Sequence, residues 1–159
     1  MSQMARYRGW QLLAIEKNML NIEHIVSTID DPAIFDKRDG GDGWTISEVL
    51  GHLADTDGYF LARARALVAG EEPPQGSGKT VDERVKDAGY ADQSATDLLQ
   101  RWLGASADYH AFMASLPEDD EELWARPAGG GFTLNDQLVL SAYHDLDHLH
   151  QIVKIIRGI

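Results

Sequence analysis

Leu12, Ile15, Met19, Ile22, Val26 and Ile29 follow one another at spacings of 3, 4, 3, 4 and 3 residues. That rhythm tracks the turn of an α-helix and lays the six side chains along one seam. A seam needs an apolar partner, and the chain supplies three more. Leu50, Leu53, Phe60, Ala64 and Leu67 form the second, broken by Asp57. Leu98, Trp102, Ala105, Tyr109, Phe112 and Leu116 form the third, and the apolar stretch Leu138–Ile156 carries the fourth. No segment reads as a confident strand. The expected fold class is all-α.

The helix ends are written locally. The first helix is expected over Arg6–Ile29 and stops at Asp30-Asp31-Pro32, because the residue before a proline avoids the helical region. The second is expected over Thr45–Ala69. Thr45 and Glu48 make a capping box, Trp44 can act as its hydrophobic staple, and Gly70 stops it. Gly58 inside it costs about 1 kcal/mol relative to alanine, which points to close packing or a local distortion there. The third helix is expected over Ser94–Leu116, closed by Pro117 and the acidic run Glu118–Glu122. The fourth is expected over Thr133–Arg157. Its entry, Gly131-Phe132-Thr133-Leu134-Asn135-Asp136, repeats that of the second, Gly43-Trp44-Thr45-Ile46-Ser47-Glu48: glycine, aromatic, threonine cap, aliphatic, polar, acid.

Four such helices predict a four-helix bundle. The connection Gly70–Ser94 is long, with room for a short helix at Val81–Lys86. A connection of that length predicts a crossover, which sets the second and third helices running in the same direction. The 159 residues form one expected domain, 1–159, large enough to bury a core without staples.

Composition narrows the chemistry. The chain has no cysteine, so disulfides, thiolate metal sites and a cysteine nucleophile are excluded, and a transition metal must be held by imidazole and carboxylate. This fits a cytoplasmic protein. The first residues lack the basic and apolar run of a signal peptide, and no apolar run is long enough to span a membrane. The net charge of −12 opposes binding to nucleic acid or to anionic lipid. The expected partner is a small-molecule substrate.

His144 and His148 stand four residues apart on the fourth helix, and so share one face of it. That spacing lets two imidazoles ligate one ion, with a third ligand from elsewhere completing a site that keeps open positions. Counted from the threonine caps, His52 falls 7 residues in, and His144 and His148 fall 11 and 15 in. At about 100° per residue, these phases lie within about 80° of one another. His52 therefore faces the pair if the two helices are neighbours in a matching orientation. A solvated or hydrogen-bonded pair has the same spacing, so the residues alone leave both readings open. Asp145, Asp147 and Gln151 are placed to orient an imidazole. Asp55 and Tyr59, on the side of the second helix that carries His52, are the candidates for proton handling or substrate contact. His24, His110 and His150 lack a partner on the same face and read as surface or boundary residues.

The segment Trp44-Thr45-Ile46-Ser47-Glu48-Val49-Leu50-Gly51-His52 and the later His144-Asp145-Leu146-Asp147-His148-Leu149-His150-Gln151-Ile152 together resemble the DinB/YfiT-like metalloenzymes. Helix number, helix order and the long second connection agree as well, so the resemblance spans nearly the whole chain. It implies a bundle with an up-down-down-up course, and a divalent metal held by His52, His144 and His148. It also implies a homodimer and an activity of the thiol-dependent kind, in which a low-molecular-weight thiol is joined to a small electrophile. Zinc or nickel is the expected metal, with iron next, since imidazole suits all three. The thiol would have to come from a cosubstrate. A noncatalytic metal-binding or ligand-binding dimeric bundle is the alternative reading, and a metal-dependent hydrolase a more distant one.

Overall fold

A computed structural model describes residues 2–127 and 131–159. Every regular element among them is helical: α1 (Gln3–Ser27), α2 (Ile46–Ala69), α3 (Val81–Ala88), α4 (Ala95–Ala114), α5 (Glu121–Ala125) and α6 (Leu134–Arg157), with single 3-10 turns at Pro32–Asp36, Asp39–Gly41 and Tyr90–Asp92. The long helices start where their caps place them. Thr45 and Thr133 each accept from the backbone N–H three residues on, and Glu48 and Asp136 reach back to complete the two boxes. Gly70 ends α2 in the left-handed conformation at φ 72°, which a glycine adopts without the Cβ penalty.

Pairs of contacts fix the direction of each helix. Arg63 bonds Gln137 at 3.0 Å and His52 lies 2.9 Å from His144; numbers rise along α2 as they fall along α6, so these two are antiparallel. Arg8 bonds Asn135, and Asn18 donates to the Ala142 carbonyl at 2.9 Å, so α1 and α6 run together. Trp102 donates to Asp57, and Arg65 lies over the Phe112 ring, so α2 and α4 run together too. The course is up-down-down-up, a four-helix bundle with its crossover between α2 and α4.

The crossover is long for a geometric reason. At about 1.5 Å per residue, α2 is about 36 Å long, and the chain must retrace that length before α4 can start beside the start of α2. The irregular stretch 70–80 can cover about 36 Å at about 3.3 Å per residue. It passes Tyr59, whose hydroxyl donates to the Pro74 carbonyl at 3.5 Å. It then delivers α3 to the N-terminal end of α2, where Trp44 Nε1 donates to Asp82 at 2.9 Å.

The core has two apolar parts. Ile22, Leu50, Leu53, Trp102 and Ile152 belong to one, and Ile15, Phe60, Tyr109, Leu134 and Leu138 to the other. Each long helix places a buried polar residue between them: Asn18 on α1, Asp57 on α2, Ser106 on α4, and Ser141 with Asp145 on α6. Asp57 is therefore not a break in the seam of α2. Its side chain is 1% exposed and accepts from Trp102 Nε1 at 3.0 Å. Burial, together with the neighbouring Asp145, pushes its carboxyl well above the usual range.

Other expectations need correcting. A Cβ at Gly58 would meet nothing within 4 Å, whereas one at Gly51 would fall 2.3 Å from the Tyr90 ring; the close approach on α2 is at Gly51. The acidic run after Pro117 does more than close the third helix, since it leads into α5. There Glu121 holds the buried Arg8 by a 2.9 Å ion pair, and Trp124 stacks on the same guanidinium. On α4 the buried face turns through Ser106 and Met113, leaving Ala105, Phe112 and Leu116 at its edge.

Candidate metal centre

The capping box on Thr45 fixes the second turn of α2, and with it His52. The middle of α6 supplies His144 and His148. Because the helices are antiparallel and packed side by side, His52 in the second turn of α2 lies level with the middle of α6, and the three rings meet. His144 Nε2 is 2.9 Å from His52 Nε2 and 3.2 Å from His148 Nε2. The ligand-capable nitrogens of all three lie within 4.8 Å of one another, and no other such cluster of three or more His, Asp or Glu occurs among the described residues.

These separations fit a single ion. Ligand bonds of about 2.0–2.1 Å put neighbouring nitrogens about 3.3 Å apart at a tetrahedral angle and about 2.9 Å apart at a right angle. His148 is 9% exposed, and His52 and His144 are half-buried. Burial disfavours the imidazolium form at each. It lowers the pKa of His52 to about 3, with further depression from His144, His148 and Arg84, and lowers those of His144 and His148 to about 4. The donors are neutral at neutral pH, as ligation requires.

One tautomer can be assigned. His148 Nδ1 lies 2.7 Å from Gln151 Oε1. An amide oxygen only accepts, so Nδ1 carries the hydrogen and the Nε2 lone pair faces the cluster. Gln151 is held in turn by its own amide, which donates to Asp39 at 3.1 Å, while Lys154 pairs with Asp39 at 3.0 Å. His144 Nδ1 is buried without a hydrogen-bond partner; the nearest carboxylate oxygen, on Asp145, is 3.9 Å away. The Trp44 ring stacks on His148, with centroids 6.0 Å apart and planes at 12°, and lies tilted against His52. It closes one side of the cluster, a larger part than a staple plays.

The other side opens into a cavity of about 670 Å³ lined by His52, His144, Asp55, Tyr59, Arg84 and others. Asp55 and Tyr59 thus share a space with two of the histidines. Asp55 is tied down: Arg101 donates to one oxygen at 2.7 Å and the Tyr90 hydroxyl to the other at 2.5 Å. Tyr90 can sit there only because residue 51 has no side chain. His24 and His150 are exposed and His110 is at the boundary, all outside the cluster.

Sequence spacing alone offered His52, His144, His148 and Gln151. It offered no sign of Asp39, Arg84, Tyr90 or Arg101, which reach the site from the connections and from α4. Trp44 could be seen at a helix entry, but its contact with the imidazoles depends on where α6 packs.

Residues 14–152 match the model of the DinB superfamily. No curated protein matches the chain. Among solved structures, YfiT from Bacillus subtilis aligns with a TM-score of 0.81 at 17% identity, over 99% of this chain and 89% of its own. It is described as a probable metal-dependent hydrolase with an unusual four-helix bundle topology. At that identity the likeness speaks to the fold.

Proposed function

The chain belongs to the DinB superfamily, and on that premise we propose that it is a divalent-metal-dependent enzyme in which His52, His144 and His148 are the ligands. Its reaction is the transfer of a low-molecular-weight thiol to a small electrophile. The observation that carries the reading is the convergence of three neutral imidazoles, two of which line a cavity. A divalent ion there lowers the pKa of a thiol or water brought to it. The residues do the rest. Gln151 fixes the tautomer of His148, and Trp44 shields one face of the cluster. The Tyr59 hydroxyl is a substrate contact, and Asp55 lines the cavity in a position held by Tyr90 and Arg101. With no cysteine in the chain, the sulfur comes from a cosubstrate. Zinc or nickel is the metal of this proposal.

The proposal includes a homodimer. The adjacent helices α1 and α6 leave Trp10, Leu20, Val139 and Tyr143 more than half exposed, and large apolar side chains gathered on neighbouring elements mark interaction surfaces. A second copy covers them in the commonest assembly, a twofold pair. Sedimentation of Trp10→Glu/Tyr143→Glu should give a monomer; an unchanged mass removes this face from consideration.

The enzymatic reading is tested by elemental analysis of protein purified without an affinity tag. Assays follow with bacillithiol, mycothiol and glutathione against a chromogenic electrophile. About one equivalent of metal, lost in the triple variant His52→Ala/His144→Ala/His148→Ala, is the expected result. Metal content unchanged in that variant defeats it. Ester cleavage without a thiol would favour metal-assisted hydrolysis, the activity ascribed to YfiT. Metal binding without either reaction would leave a noncatalytic bundle.

A further inference from the structure

The charges around the cavity are unevenly matched. Of the ionisable side chains that line it, Asp55 has both oxygens occupied by Arg101 and Tyr90. Arg84, which lines it from α3, forms no ion pair among the described residues. One of its terminal nitrogens donates to the Lys79 carbonyl at 2.8 Å. That bond steadies the guanidinium and leaves its other N–H groups free. The neighbouring cation, Lys79, is already committed to Asp87 at 2.6 Å. Arg84 and the histidines also feel one another, because its charge is among those that disfavour the imidazolium of His52. Tyr59, Phe60 and Val85 line the cavity as well.

We propose that Arg84 determines the substrate class of this cavity by seating an oxyanion at one end of a small molecule whose other end lies against His52 and His144. This rests on the three-histidine reading above. A guanidinium presents a planar fork of N–H donors that matches a carboxylate, sulfonate or phosphate in charge and spacing. The chain as a whole carries a net charge of −12, which repels anions. An unpaired cation lining a cavity of ligand size offsets that repulsion locally. Neutral substrates gain nothing from it, and cationic ones are opposed by it.

Four thiols of similar size separate the two ends of the ligand: 3-mercaptopropionate, 2-mercaptoethanesulfonate, 2-mercaptoethanol and cysteamine. Each is titrated calorimetrically into protein loaded with zinc, whose content is measured first. The two anionic thiols should bind at least fivefold more tightly than 2-mercaptoethanol, with cysteamine weakest. Arg84→Gln should remove that preference while changing the affinity for 2-mercaptoethanol by less than twofold. Arg84→Glu should favour cysteamine. Arg84 is exposed, so the variants should fold, and matching zinc content confirms it. Equal binding of charged and neutral thiols by the unmodified protein overturns the proposal. So does a preference for anions that survives in Arg84→Gln. Failure to retain zinc, or zinc retention without binding of any thiol, sinks the open three-histidine site and this inference with it. Either is told apart from a failure of Arg84 alone by the zinc content and by the 2-mercaptoethanol titration.

Discussion

Gln151 and His148 lie one turn apart on α6 and are joined across 2.7 Å, amide oxygen to Nδ1. The contact orients the ring and settles which nitrogen is free. Replacing Gln151 with leucine removes the acceptor and leaves the ring able to turn or to change tautomer. Loss of an outer partner of this kind costs about 10–100-fold in metal affinity. Competition with a chromophoric chelator should show that loss, while the circular dichroism of the metal-free protein stays unchanged.

The three imidazoles also predict how binding responds to acid. Ordinary histidines, with pKa near 6.5, would each cost about 30-fold in affinity at pH 5 through competition with protons. Here burial has lowered the values to about 3 for His52 and about 4 for the other two. Zinc affinity should therefore be nearly flat from pH 8 to pH 5.5 and fall steeply only as pH approaches 4. A steep loss already between pH 7 and pH 6 would show that the rings titrate as exposed ones do.

A different window belongs to the polar level of the core. Burial raises the Asp145 carboxyl from 3.8 to about 8, so between those values the folded protein holds a proton that the unfolded chain has released. Stability from this group is full below about pH 4 and drains away as pH rises through 8. Asp145→Asn lacks the titration and also relieves Asp57. In metal-free protein, the difference in urea midpoint between the variant and the parent should move in the variant's favour from pH 5 to pH 8. A constant difference would mean that the carboxyl does not change its charge there.

Gly51→Ala, read by urea unfolding, tests the support that Tyr90 gives to Asp55 at the edge of the cavity. The added Cβ would stand 2.3 Å from the Tyr90 ring, and such overpacking costs about 1–3 kcal/mol. Relief requires Tyr90 to leave, which frees Asp55 and Arg101. Gly58→Ala is the control on the same helix. It meets nothing within 4 Å and should be neutral or stabilising by up to about 1 kcal/mol.

The parts of this protein legible in its sequence are those set by contacts within one helix. Thr45 with Glu48, Thr133 with Asp136, and His148 with its neighbours at positions 144 and 151 all lie within four residues, where turn geometry dictates who meets whom. Counting from the caps put the histidines on compatible faces. Their depth agrees for another reason: α2 and α6 pack antiparallel, in a register that sets His52, early in α2, level with the middle of α6. Asp57 was misread because a seam on one helix cannot reveal Asn18, Ser106 and Asp145 at the same level on the others. Arg84 was invisible for a similar reason, since its place depends on the path of a segment with little periodicity.

That path divides the labour of the molecule. The helices, whose caps and seams tolerate little change, hold the histidines. The returning segment, obliged to travel the length of α2 so that α4 can run beside it, supplies Gln75, Ser77 and Arg84 to the cavity. Substitutions there need not disturb the packing of the bundle. A chain with this topology can reshape its cavity by rewriting its return path, keeping the histidine cluster and the architecture it was born with.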